Sequence, residues 1–128
     1  MSSFEDLQAK KVVSASGLAQ KLVVMRDYLF SLKQTGQDEK YTEYLNRYAA
    51  ALEELLDLVR EQKKGCRHDQ CNTLLYQEIS ELTSAINHIG RVAGSREELD
   101  ESKVREALAT ITSHQHSLAY LLKNDRAA

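Results

Sequence analysis

Residues 41–59 read YTEYLNRYAAALEELLDLV. Tyr41, Leu45, Tyr48, Leu52, Leu55 and Val59 recur at alternating steps of three and four. That spacing puts them on one side of a helix, as a seam that faces neighbouring helices. The stretch contains neither glycine nor proline, so nothing within it interrupts a helix. It also carries a second apolar repeat. Tyr44, Ala51 and Leu58 each lie one position before a seam residue and share its heptad spacing. They are expected to face sideways from the seam.

Three more segments have the same period. Upstream, Ala15, Leu18, Leu22, Met25, Leu29 and Leu32 form a stripe. Downstream come Leu75, Ile79, Leu82, Ile86, Ile89 and Ala93, and then Val104, Leu108, Ile111, Leu118 and Leu122. Gln115 stands where the last stripe would place another apolar residue. No segment alternates with period two, so no strands are expected. Proline is absent from the 128 residues and there are only 5 glycines, which agrees with an all-α chain.

Local signals set the boundaries. Ser2 or Ser3 ahead of Glu5 and Asp6 can cap the first helix, and Gly36 suits the turn that closes it. Lys63, Lys64 and Gly65 suit the end of the second. Asp69 or Asn72 can open the third. Ser95 and Glu98 have capping-box spacing, and Ser102 offers a second cap for the fourth. The expected helices cover about residues 4–34, 38–64, 72–93 and 97–123 of one domain. Short connections make successive helices antiparallel neighbours. The expected fold is an all-α, up-down-up-down four-helix bundle with coiled-coil-like packing.

Composition excludes several functions. The net charge of −2 gives no global basic field, which disfavours binding to nucleic acid. The longest apolar run, LVVM, is too short to span a membrane, so no membrane partner is expected. The N-terminal stretch lacks the pattern of a signal peptide. A cytoplasmic protein with reduced cysteines is the corresponding expectation.

The one stretch that resembles chemistry is GCRHDQC, residues 65–71. The leading reading is a polar loop with two free thiols. The alternatives are a disulfide, a thiolate switch favoured by Arg67 and His68, and a metal site. The metal set would be Cys66, His68 and Cys71, with His116 as a distant fourth ligand or His114 near it. Its spacing departs from the usual paired-cysteine pattern of structural zinc. His114 borders the apolar stripe of the fourth helix and is expected to be a buried histidine with a hydrogen-bond partner. No nucleophile elbow, phosphate loop or zincin motif is present, so neither catalytic residues nor a cofactor are expected.

The first two helices carry more apolar surface than one seam needs. Val12, Val13, Ala19, Val23, Val24 and Phe30 supplement the first stripe, and Tyr44, Ala51, Leu56 and Leu58 the second. Such surplus on neighbouring helices marks a further contact. The expected interaction residues are Phe30, Tyr41, Tyr44, Tyr48, Ala51 and Leu58. The expected function is binding to another protein or to a second copy, as a homodimer.

Overall fold

A computed structural model describes the backbone of residues 4–67, 69–93 and 99–123. It describes the side chains of residues 14–67, 69–93, 99–100, 102–114, 117–118 and 120. Four helices account for nearly all of this: α1 (Phe4–Gln34), α2 (Asp38–Lys64), α3 (Asp69–Ala93) and α4 (Glu101–Lys123). No strand occurs among the described residues. The first two helices match the sequence reading. The third starts three residues earlier than the expected 72, and the fourth starts at 101 instead of 97.

Contacts run in ring order. α1 packs on α2 and α4, and α3 packs on the same two helices. Tyr28 meets Tyr44 and Lys33 lies over Tyr41, so α1 and α2 run in opposite senses. Asp100 meets His88 and His114 approaches Glu78, which gives α3 and α4 the same relation. The molecule is a four-helix bundle whose arrangement fits an up-down-up-down course.

The turns follow from local chemistry. Gly36 has φ +70°, in the left-handed region open to glycine. Its N–H donates to the Lys33 carbonyl, and the Gln37 N–H donates to that of Leu32. These two bonds make a Schellman closure of α1. Gly65 differs. Its φ is −89°, so α2 ends without a left-handed residue there. α4 is capped by Asp100, whose carboxylate accepts the Ser102 N–H at 3.1 Å and the Ser102 hydroxyl at 2.6 Å. The Ser102 hydroxyl bond holds the Asp100 carboxyl below its usual range. The Ser95–Glu98 box lies outside the described residues.

The core follows most of the seam. Ala15, Leu22, Leu29 and Leu32 are buried on α1, and Leu45, Tyr48, Leu52, Leu55 and Val59 on α2. Val104, Leu108, Ile111 and Leu118 are buried on α4. Burial of each large side chain contributes roughly 1.5–3 kcal/mol. On α3 the stripe is rotated. Cys71, Leu75, Glu78, Leu82, Ala85, Ile89 and Val92 are buried, Ile79 and Ile86 are half-buried, and Ala93 is exposed.

Candidate functional site

The pole where α1 ends and α2 begins gathers most of the aromatic side chains. Val24, Tyr28 and Phe30 are 69%, 50% and 46% exposed, although all three are large and apolar in body. Val24 and Tyr28 are one turn apart, on the outer ridge of α1. Tyr28 packs edge-to-face on Tyr44 with ring centroids 4.7 Å apart. Tyr44 and Tyr41 are half-buried. Tyr76 and Tyr120 are exposed on other helices as single residues, which needs no special account.

A cavity of about 250 Å³ opens at this pole. Leu29, Phe30, Tyr41 and Leu99 supply its apolar walls, and Arg26, Lys33 and Gln34 its polar ones. Five of these seven residues come from the last two turns and a half of α1. Lys33 Nζ lies 6.0 Å from the centre of the Tyr41 ring. Leu99 is placed by the chain entering α4. The next residue, Asp100, donates its N–H to His88 Nε2 at 2.7 Å. His88 is therefore a buried histidine with a partner, and it fixes the edge of the cavity. A larger hollow of about 930 Å³ on the α2–α3 face is shallower, with Ser80, Ser84 and Asn87 among its walls.

The expected interaction residues divide. Phe30 is exposed, whereas Tyr41, Tyr44, Ala51 and Leu58 are half-buried and packed against the core. Tyr48 is fully buried at 0% exposure and belongs to no surface. The α2 stripe is thus corrected: Ala51 and Leu58 flank the core instead of standing outside it. The exposed apolar side chains lie on α1, with Val24 and Tyr28 on one flank and Phe30 on the other, beside the cavity. Val12 and Val13 lie outside the described side chains.

The cysteine reading is also corrected. Cys66 and Cys71 form a disulfide, with Cα atoms 5.9 Å apart. The early start of α3 explains it. Cys71 sits in the first turn of α3 and turns inward, 1% exposed, beside the point where the chain leaves α2. A disulfide leaves neither sulfur as a thiolate ligand. Among the described residues no group of three or more metal-binding side chains is arranged to hold an ion. The side chains of His68 and His116 lie outside the described residues.

One polar group was missed from the sequence. Glu78 is 1% exposed in the core. Burial, reinforced by the nearby Glu81 carboxylate, raises its pKa from 4.5 to about 8. It is therefore protonated at neutral pH. His114 Nδ1 is 3.9 Å from Glu78 Oε2, beyond hydrogen-bond range. Desolvation holds the His114 pKa below its ordinary value, against the attraction of Glu81. The approach is thus between two uncharged groups, not an ion pair. Glu78 Oε2, Glu81 Oε2 and His114 Nδ1 are buried without hydrogen-bond partners. Among the described residues, His114 Nδ1 has no hydrogen-bond partner of the kind expected. Only the break at Gln115 in the α4 stripe hinted at this polar layer.

No protein-family model, no curated protein and no solved structure matches this chain.

Proposed function

We propose that the protein is a docking module that binds another protein through the α1–α2 pole. The observation that carries this reading is the exposure of large apolar side chains on both flanks of the end of α1, Val24 and Tyr28 on one and Phe30 on the other. Exposed apolar groups gathered on one element, with aromatics beside them, are the usual marks of a contact surface. A second copy of the chain is the simplest partner, because one subunit type suffices for a two-fold pair.

The test is photo-crosslinking from p-benzoylphenylalanine placed at Val24 or Phe30, with Ser84 on α3 as the control position. Purified protein reports self-association, and an extract of the native cell reports other partners. Discrete adducts from the α1 positions and none from the control support the module. A dimer-sized adduct in the purified sample identifies the homodimer. Equal labelling from all positions, or no discrete adduct from α1, overturns the reading.

The disulfide favours a second reading, a bundle whose α2–α3 junction responds to redox state. Attack by a dithiol on the half-buried Cys66 sulfur would release Cys71 as a thiolate in the first turn of α3. The N–H groups there favour a negative charge. A second attack by the reductant's other thiol would leave both cysteines reduced and the reductant oxidised. Mass spectrometry after equilibration in dithiol buffers of graded potential measures this. A bond that stays oxidised throughout the range of cellular thiol buffers would remove the reading.

A further inference from the structure

We infer that the polar layer between α3 and α4 is a binding site for one ordered water molecule, which accepts a hydrogen bond from Glu78 and donates to Glu81 and His114. Orphaned atoms are the first ground. Among the described residues, Glu78 Oε2, Glu81 Oε2 and His114 Nδ1 are each buried without a hydrogen-bond partner. Buried polar atoms are nearly always paired, with protein or with ordered water. Here all three belong to one layer. Glu78 and Glu81 are three residues apart and share a face of α3. The Glu81 carboxylate acts on both Glu78 and His114. Its other oxygen, Oε1, accepts the Gln77 amide N–H at 3.3 Å, at the exposed side of the helix.

Distance is the second. Glu78 Oε2 and His114 Nδ1 are 3.9 Å apart. That is too long for a direct bond, yet a water beside the pair can lie about 2.8 Å from each. Closing the gap by about 1 Å would join the two directly, but it would still leave Glu81 Oε2 without a partner. The His114 side chain is 15% exposed, whereas that of Glu78 is 2% exposed. The layer therefore runs from the core to the edge of the bundle, which gives solvent a short way in.

Donor count is the third. Burial, reinforced by the Glu81 carboxylate, keeps the proton on Glu78 at neutral pH, so this side chain is a donor. Desolvation favours the uncharged His114 ring, whose Nδ1 accepts when the ring proton sits on Nε2. The Glu81 carboxylate oxygen also accepts. One donor and two acceptors match the lone pair and the two hydrogens of a single water. Three bonds are also about what a buried water makes. The bridge joins α3 to α4 where Gln115 interrupts the apolar stripe of α4.

Magnetic relaxation dispersion of water oxygen tests this, because it counts molecules held longer than the protein tumbles. Glu78→Met with His114→Leu removes two of the three partners and should lower that count by about one relative to the unmodified protein. Glu78→Gln keeps a donor in place, since an amide N–H can replace the carboxyl O–H, and should leave the count unchanged. An unchanged count in the double variant overturns the water site. Loss of the water in Glu78→Gln overturns the assignment of Glu78 as its donor. Circular dichroism checks that the double variant folds. If it does not, a crystal structure of the unmodified protein decides. A density peak within hydrogen-bond distance of all three atoms supports the site, and no peak, or a direct bond between Glu78 and His114, overturns it. The ring-nitrogen resonances of His114 at neutral pH give an independent reading. A proton on Nε2 and a bare Nδ1 are expected, and a proton on Nδ1 overturns the assignment, because one hydrogen of the water would then lack its acceptor.

Discussion

α2 and α3 carry apolar repeats of similar clarity, yet only one was read in the right phase. On α2, Leu45, Tyr48, Leu52, Leu55 and Val59 are all buried, as the period requires. On α3, Leu75, Leu82 and Ile89 are buried, but the positions between them are not the isoleucines. Glu78 and Ala85 take the core, while Ile79 and Ile86 sit at its flank. Both solutions alternate steps of three and four and share three residues. Hydropathy chooses Ile79 over Glu78, whereas packing fixes the rotation of the helix. Ile86 lies along the α2 side, and Glu78 points toward His114 on α4. Period thus identifies a helix more securely than it identifies the centre of the buried face.

The sharpest way to break this comparison is to test the securely read helix. Leu52 is 0% exposed at the middle of the α2 seam. Leu52→Ala should cost about 3 kcal/mol, the lost burial plus the cavity left behind. The urea midpoint should fall with little change in slope. A cost below about 1 kcal/mol would mean that α2 is no better packed than a flank position.

Glu78 tests the rotated helix through pH. Its folded pKa of about 8 exceeds the ordinary 4.5, so the folded state keeps a proton that the unfolded chain releases. Its contribution is full below pH 4.5 and is lost as pH rises toward 8. His114 acts in the opposite direction. Its folded pKa lies below 6.5, so stability is lost as pH falls beneath that value. The two slopes oppose one another between about pH 4.5 and 6.5, and above that only the Glu78 loss remains. Stability should therefore fall by about 2 kcal/mol from pH 6.5 to 8, at 1.36 kcal/mol per unit. Glu78→Gln should flatten the fall, since the amide does not titrate. Chemical denaturation at several pH values measures both. An unchanged fall in Glu78→Gln would place the titrating group elsewhere.

These regions also mark what was legible. Helix number, the Gly36 closure and the seams of α2 and of the described part of α4 follow from spacing and turn chemistry that neighbouring residues supply, whereas on α1 Leu18 and Met25 are half-buried and Ala19 takes the core. The rotation of α3 depends on α2 and α4 together, so no local pattern contains it. Tyr48 was read as a contact residue because tyrosine suits either a surface or a core, and its hydroxyl does not reveal which. The start of α3 was misplaced because Asp69 and Asn72 both suit a cap. That shift decided whether Cys71 stood in a loop or faced inward. The apolar surplus of α1 was legible, but the cavity was not. It needs Tyr41 and Leu99, which reach it only through tertiary packing.

The junction between α2 and α3 gives the next prediction. The bond joins residues five apart, and a loop that short removes little entropy from the unfolded chain. Cys66→Ala with Cys71→Ala should therefore cost about 2 kcal/mol or slightly less. Thermal unfolding of both proteins in the absence of reductant checks it. A loss above about 4 kcal/mol would show that this junction, more than the α3 seam, sets the position of the helix.

The smallest effect separates the two phases of α3 most directly. If Ile86 were the core residue its hydropathy suggests, Ile86→Ala would cost about as much as Leu52→Ala, because both would remove buried methylenes without compensation. In the structure Ile86 is half-buried and borders the open hollow on the α2–α3 face. Its outer methyl groups already meet solvent, so truncation removes only part of the transfer energy and opens no closed cavity. The expected cost is about 1 kcal/mol. Ala85, one residue before it, is 0% exposed and should respond in the opposite way to a change of size. Ala85→Leu forces extra volume into a closed core and should destabilise by roughly 1–3 kcal/mol. In the rejected phase the order reverses: Ile86→Ala becomes costly and Ala85→Leu is tolerated at the flank. Urea unfolding of these two variants therefore ranks the phases by the sign of one difference, which does not depend on the absolute stability of the bundle.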